Sequence, residues 1–229
     1  KKTQKDFLKD AHIIIWTTTP WTIPANRALA YNSKIKYSLI QMGKDIEHFK
    51  NKNIIIASEL IKKVSDDCSF KDFKILKEFN GNDFKNSICL HPLKKIGFDY
   101  DVPMLEGDFV TLEQGTGIVH SAPSHGPDDF NLCLKHGIKA SNTINDSGIY
   151  SDEVPFFSGV HIFKADVQVI EKLSEHNSLL GKGKLQHSFP HSWRSKAPLV
   201  YRATSQWFIS MEKKNLRKKA LKAIDDTSF

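Results

Sequence analysis

Trp16-Thr17-Thr18-Thr19-Pro20-Trp21-Thr22-Ile23-Pro24-Ala25-Asn26 is the stretch on which the reading of this chain turns. It leaves a short apolar, β-branched run at residues 11–16 that predicts a buried strand. Pro20 and Pro24 each lack a backbone donor and fix φ, so residues 21–26 form an irregular loop or one helical turn. Four threonine hydroxyls and one amide fall within ten residues at the exit of that strand, a set of donors and acceptors able to line a pocket. Any one of these threonines alone is ordinary turn chemistry. Three in a row between a tryptophan and a proline, with prolines on both sides of Trp21, hold their hydroxyls in fixed geometry.

Outward from this stretch, further strands are predicted at 36–42, 53–57, 73–79, 87–91, 109–112 and 118–121. Residues 58–64 read as a short helix with Ser58 as its N-cap. Gly126-Pro127-Asp128-Asp129 opens another, with proline at the first position, acids in the first turn, and Phe130, Cys133, Leu134 and Ile138 on one face. Residues 164–176 form an amphipathic helix built on Val167, Val169, Ile170 and Leu173. Many short strands with a few helices predict an α+β fold, a barrel-like mixed β-sheet core with flanking helices, in preference to a doubly wound sheet.

Composition narrows the function classes. Of 229 residues, 40% are hydrophobic and 26% charged, as in a globular protein. A chain of this size needs no staple to fold. The longest apolar run, Ile13 to Trp16, is far short of the ~20 residues that a membrane helix requires, so no membrane partner is expected. Cys68, Cys89 and Cys133 are widely spaced, which suggests neither disulfides nor a metal site and fits a reducing compartment. The formal charge of +7 is unevenly placed: residues 1–180 hold 22 Lys and Arg against 23 Asp and Glu, whereas 181–229 hold 11 against 3. There the cations are interleaved with Phe189, Trp193, Tyr201 and Trp207 and continue from Lys213 to Lys222, which makes a polyanion a candidate partner.

Other motifs are weaker. Gly115-Thr116-Gly117 lacks the third glycine of a dinucleotide turn and the ending of a phosphate loop, and reads as a hairpin turn. Ser121, Ser124, His120 and His125 lack a nucleophile elbow and an orienting acid, so no serine hydrolase is indicated. His120 ends a strand and Asp129 lies nine residues later in the first turn of a helix, close enough to share a cleft. Asp128 serves the helix dipole.

Three segments together resemble one family. They are the stretch quoted above with Arg27-Ala28; Gly115-Thr116-Gly117-Ile118-Val119-His120-Ser121-Ala122-Pro123 with Gly126-Pro127-Asp128-Asp129; and Pro190-His191-Ser192-Trp193-Arg194 with Arg202-Ala203-Thr204-Ser205-Gln206-Trp207-Phe208. The chain resembles the connective-peptide editing domain of isoleucyl-tRNA synthetase, a class I enzyme, over nearly its whole length. The chain carries neither His-Ile-Gly-His nor Lys-Met-Ser-Lys-Ser and begins without methionine, so an excised module that edits and does not aminoacylate is expected. Residues 1–188 are then the editing domain, and 189–229 the return segment toward the catalytic core within the same module.

The resemblance implies hydrolysis of the ester joining valine to the terminal adenosine of isoleucine tRNA. Binding alone rejects a substrate one methylene too small only weakly, isoleucyl-tRNA synthetase being the standard instance, and a second, hydrolytic sieve makes up the difference. It implies that Asp129 pairs with the substrate α-ammonium. Thr17, Thr18, Thr19 and Thr22 cradle the adenosine and ester, with Asn26 and Trp21 in support. His120 crowds the longer isoleucine side chain, as a sieve first and a base second. Positioning and oxyanion donors then suffice without a metal. No cofactor is expected for editing; ATP and magnesium belong to the full-length synthetase. The implied partners are mischarged isoleucine tRNA and the remainder of the synthetase, in the cytoplasm. The competing reading, from the basic C-terminal part, is a tRNA-binding module without catalysis.

Overall fold

The computed structural model describes residues 2–186 and 188–228. Among the described residues, eight strands form two four-stranded mixed sheets. The first has the order β1 (His12–Ile13), β4 (Asn53–Ala57), β3 (Lys36–Met42), β5 (Phe73–Asn80). The second has the order β6 (Ile88–Leu90), β7 (Asp101–Glu106), β2 (Ala28–Tyr31), β8 (Val119–Ser121). β1 with β4 and β2 with β7 are the parallel pairs, and β2 with β8 is antiparallel. The expected α+β class with a mixed sheet core is what the chain adopts, and the sheets remain two, without closing into a barrel.

The apolar runs explain the first sheet. Ile54, Ile55 and Ile56 are fully buried, as is Tyr37 across from Ala57, and each such side chain contributes about 1.5–3 kcal/mol by leaving water. Leu76 is left over where the β3–β5 register shifts between Leu39 and Ile40, so β5 carries a bulge. The second sheet was harder to foresee. β2 is only four residues long, and Pro103 lies inside β7, a residue that ordinarily argues against a strand.

Several local expectations change. Strand pairing at 11–16 is confined to β1, after which Ile14 N–H still reaches Ile55 O at 3.3 Å while Trp16 is exposed. Residues 109–112 form no strand, because Val110 N–H turns back to Gly107 O at 3.2 Å where β7 ends. Ser58 opens a 3-10 turn and bonds the Ser38 hydroxyl at 2.8 Å, so it does not cap α1 (Ile61–Asp67). Gly115-Thr116-Gly117 is no hairpin but a joint between sheets: Thr116 O accepts from Ala57 N–H, Thr116 Oγ1 donates to Ile14 O at 2.6 Å, and Gly117 O accepts from the Tyr37 hydroxyl. Gly117 has φ +77°, and a Cβ there would lie 2.4 Å from that of Ala57, so glycine is required twice over.

Helix α2 (Pro127–Lys135) packs on β8, and α3 (Ile162–Glu175) packs on the turn at Pro20–Ala25. The buried residues of α2 are Leu132 and Cys133, with Phe130 and Leu134 exposed, so its inner face differs from the expected one. Asp129 lies four residues before Cys133 and therefore on that inner face. α3 buries Ile162, Ala165, Val169 and Leu173 in a second core that also takes Trp21, Ile23, Tyr150 and Phe157; Val167 is exposed. Past residue 188 the backbone has no helix until Lys213, and α4 (Leu216–Asp225) has no buried residue.

Candidate active site

The threonine stretch folds into a 3-10 helix, Pro20–Ala25, with Thr19 in the N-cap position. Thr19 N–H donates to Thr17 Oγ1 at 3.0 Å, and the two hydroxyls lie 3.4 Å apart. Thr22 Oγ1 donates its proton to Thr19 O at 2.9 Å. Its 3.1 Å contact with His120 Nε2 therefore has the imidazole as donor. That tautomer leaves a lone pair on His120 Nδ1, an atom that is buried without a partner. Burial, with His91 and His125 close by, lowers the His120 pKa to about 4, so the ring is neutral at pH 7 and a weak base.

Asp129 lies in the first turn of α2, which packs on β8. Gly126 precedes α2 in extended conformation, and the carboxylate folds back over it: a Cβ at 126 would meet Asp129 Oδ2 at 2.2 Å. The backbone amides of Ala122 and of Asp129 itself favour the ionised form, as does the Ser121 hydroxyl at longer reach, since Ser121 Oγ makes no formed hydrogen bond. Burial outweighs them and pushes the Asp129 pKa up to about 6, with Asp128 adding repulsion. Among the described residues no Lys or Arg forms an ion pair with it. A half-buried carboxylate without a counter-ion is suited to a cationic ligand.

The structure thus brings Thr17, Thr19, Thr22 and His120 into one hydrogen-bonded chain, while Asp129 is placed against Ser121 and Ala122 at the end of β8. Thr18 is exposed and stands outside that chain. Asn26 is buried, and its Oδ1 has no hydrogen-bond partner among the described residues. Trp21 is buried in the second core with its ring 4.7 Å from that of His125, so it packs behind the turn. Ser124 Oγ donates to Ser141 O at 2.6 Å and not to a base, which leaves no serine nucleophile pair there.

Sequence reasoning missed the residues that hold this turn from behind. His91 Nε2–H donates to Ile23 O at 3.0 Å while its Nδ1 accepts from Leu93 N–H, and burial lowers its pKa to about 4. Trp21 O accepts from the Tyr150 hydroxyl, and Trp21 N–H donates to Asp166 Oδ1 at 2.8 Å across 145 residues of sequence. His125 Nδ1–H donates to Tyr201 O, so its Nε2 accepts from Thr143 Oγ1 at 2.6 Å. Such distant partners leave no local pattern, except that Asp166 is an acid on the apolar face of α3. Among the described residues no group of three or more His, Cys, Asp or Glu side chains is placed to hold a metal ion. Nor does any helix among them have the length and apolarity to cross a membrane. Two surface hollows of about 390 and 520 Å³ lie elsewhere, beside Lys213 and beside Asp45.

Residues 9–157 match the family model described as leucyl-tRNA synthetase, editing domain. The chain is 62% identical to an isoleucine–tRNA ligase of Pelagibacter ubique over 100% of its own length and 25% of the relative's. It is 43% identical to that of Gluconobacter oxydans over 97% and 25%. The chain therefore spans about a quarter of the length of these curated relatives. Its fold is similar to that of the leucyl-tRNA synthetase structure GlLeuRS-CP1, with TM-score 0.60, 15% identity, and 77% and 85% of the two chains covered. It is also similar to the P. knowlesi cytosolic leucyl-tRNA synthetase editing domain, with TM-score 0.55, 11% identity, and 76% and 84% covered.

Proposed function

Since the chain belongs to the family of synthetase editing domains described for leucyl-tRNA synthetase and is similar over its whole length to isoleucine–tRNA ligases, we propose that it hydrolyses the ester between valine and the terminal adenosine of isoleucine tRNA. The observation that carries this reading is Asp129, a desolvated carboxylate without a counter-ion among the described residues. The α-ammonium of an aminoacyl ester supplies the missing charge, and the charge-assisted contact distinguishes a charged tRNA end from a bare one. Thr17, Thr18, Thr19 and Thr22 hold the adenosine and the ester, and Asn26 Oδ1 accepts from substrate or water. The neutral His120 ring serves as a wall that leaves room for valine and crowds isoleucine, since a base of pKa about 4 contributes little proton abstraction at pH 7. Aminoacyl esters are reactive, so orientation of water and of a neighbouring ribose hydroxyl is the main requirement. We assign ATP and magnesium to the aminoacylation site of the whole ligase, in the cytoplasm, and none to this step.

The test is release of valine from valyl-tRNA by this chain. Asp129→Ala is expected to lower the rate on the order of a hundredfold, the value of a charge-assisted contact. Asp129 must be ionised to pair with the ammonium, and its raised pKa places the acid limb of kcat/KM near pH 6 and not near 4. Bound ammonium favours the ionised form, so the limb in kcat lies lower. Undiminished hydrolysis by the alanine variant counts against the site. A tRNA-binding module without catalysis is the second reading, favoured by the exposed basic stretch from Lys213 to Lys222; it predicts binding indifferent to the aminoacyl group.

A further inference from the structure

A 3-10 helix presents unsatisfied backbone N–H groups at its start, and a side chain at the N-cap ordinarily accepts from one of them. Thr19 occupies that position here and makes no such bond. Its hydroxyl lies beside Thr17 instead. Pro20 has no N–H, which leaves Trp21 N–H as the first donor of the turn, and it goes to Asp166 Oδ1 at 2.8 Å. The Tyr150 hydroxyl holds the carbonyl of the same residue, so both sides of the Trp21 backbone are gripped from the α3 side of the molecule.

Asp166 is placed for this by α3. It lies on the face of Ile162, Ala165 and Val169, where an acid costs free energy unless it has a partner. Desolvation raises its pKa and the Trp21 amide lowers it, as expected of a carboxylate whose burial is offset by one backbone donor. The consequence reaches the site through short links. Fixing Trp21 fixes the next residue, Thr22, whose hydroxyl is held by Thr19 O and accepts from His120 Nε2–H.

We propose that Asp166 is a positioning residue for editing, an N-cap supplied from a distant helix that holds the Thr19–Thr22 turn and, through Thr22, the orientation of the His120 ring. This rests on the function proposed above for its effect on hydrolysis, though not for its effect on the turn. The turn is then tuned by a residue that touches no substrate, and loosening it should cost selectivity before it costs binding.

The experiment compares Asp166→Ala and Asp166→Asn in this chain with the parent, by two readouts. Amide hydrogen exchange followed by mass spectrometry should show peptides spanning 19–26 exchanging on the order of tenfold faster in Asp166→Ala, the scale of a lost cap, and near the parent rate in Asp166→Asn, which keeps an acceptor oxygen. The ratio of valyl to isoleucyl ester hydrolysis should fall in the alanine variant and recover in the asparagine one. Unchanged exchange in Asp166→Ala overturns the inference, and so does an equal loss in both variants. If exchange responds while the parent hydrolyses neither ester, the capping role stands and the proposed function fails. Asp129→Ala is the control and should leave exchange at 19–26 unchanged.

Discussion

His120 lies in β8 and Asp129 at the start of the helix that packs on it, and burial moves their pKa values in opposite directions, down to about 4 and up to about 6. Desolvation disfavours whichever form is charged, so it raises a carboxylic acid and lowers an imidazolium. The acid retains enough ionisation at pH 7 to hold a cation, and the histidine becomes a neutral, oriented wall. Replacing His120 by alanine should therefore raise isoleucyl ester hydrolysis about tenfold or more, the range that a methylene-sized change in a pocket commands, with valyl hydrolysis little changed. Unchanged selectivity in steady-state assays with both charged tRNAs would show that the ring is no sieve. Asp129 was legible in the sequence as an acid at a helix start. Its burial was not, because it depends on Leu132 and Cys133 and not Phe130 and Leu134 turning inward.

At the level of elements, β8 is bonded to the threonine turn through Thr22 and packed by α2, and Gly115-Thr116-Gly117, which leads into it, ties the two sheets together. Tyr37 is central to that joint: fully buried in β3, it donates to Gly117 O at 2.8 Å and accepts from Asn32 N–H at 3.1 Å. Its pKa is pushed up to about 12 by desolvation, so it stays protonated as the donor throughout the neutral range. Tyr37→Phe strands a carbonyl and an amide and should cost about 1–3 kcal/mol in thermal unfolding, while the ring still packs between Phe79 and Phe84. An unaltered melting temperature would mean that the joint is held by other interactions. Strands with continuous apolar runs, such as β4, were readable from pattern alone. β2 and β7 were not, since four residues and an internal proline carry too little periodicity to register without their neighbours.

Across the whole molecule, charge and packing separate. The body holds two apolar cores, whereas the C-terminal part exposes Trp193, Trp207 and Phe208 together with most of its cations. It touches the body at Val200 in the second core, at Arg202, which pairs with Asp146 at 2.6 Å, and at Ala203, whose N–H donates to Ser124 O at 3.0 Å. Replacing Lys213, Lys214, Lys218, Lys219 and Lys222 by glutamine should weaken tRNA binding and flatten its salt dependence by up to ~0.7–0.9 for each phosphate that is no longer neutralised, irrespective of the aminoacyl group. Titrations of charged and uncharged tRNA over a range of salt concentrations check this, and an unchanged slope would remove α4 from the interface.

The sequence by itself determined the mixed α+β class, the irregular threonine turn with its two prolines, the acid-rich start of α2 and the family, because each is written in contiguous residues whose local preferences agree. Only the tertiary structure decided that Trp21 packs inward, that His120 carries its proton on Nε2, and that the turn takes its cap from Asp166, 145 residues away. Those outcomes depend on which polar groups are left without water when distant elements meet, and no local pattern encodes that.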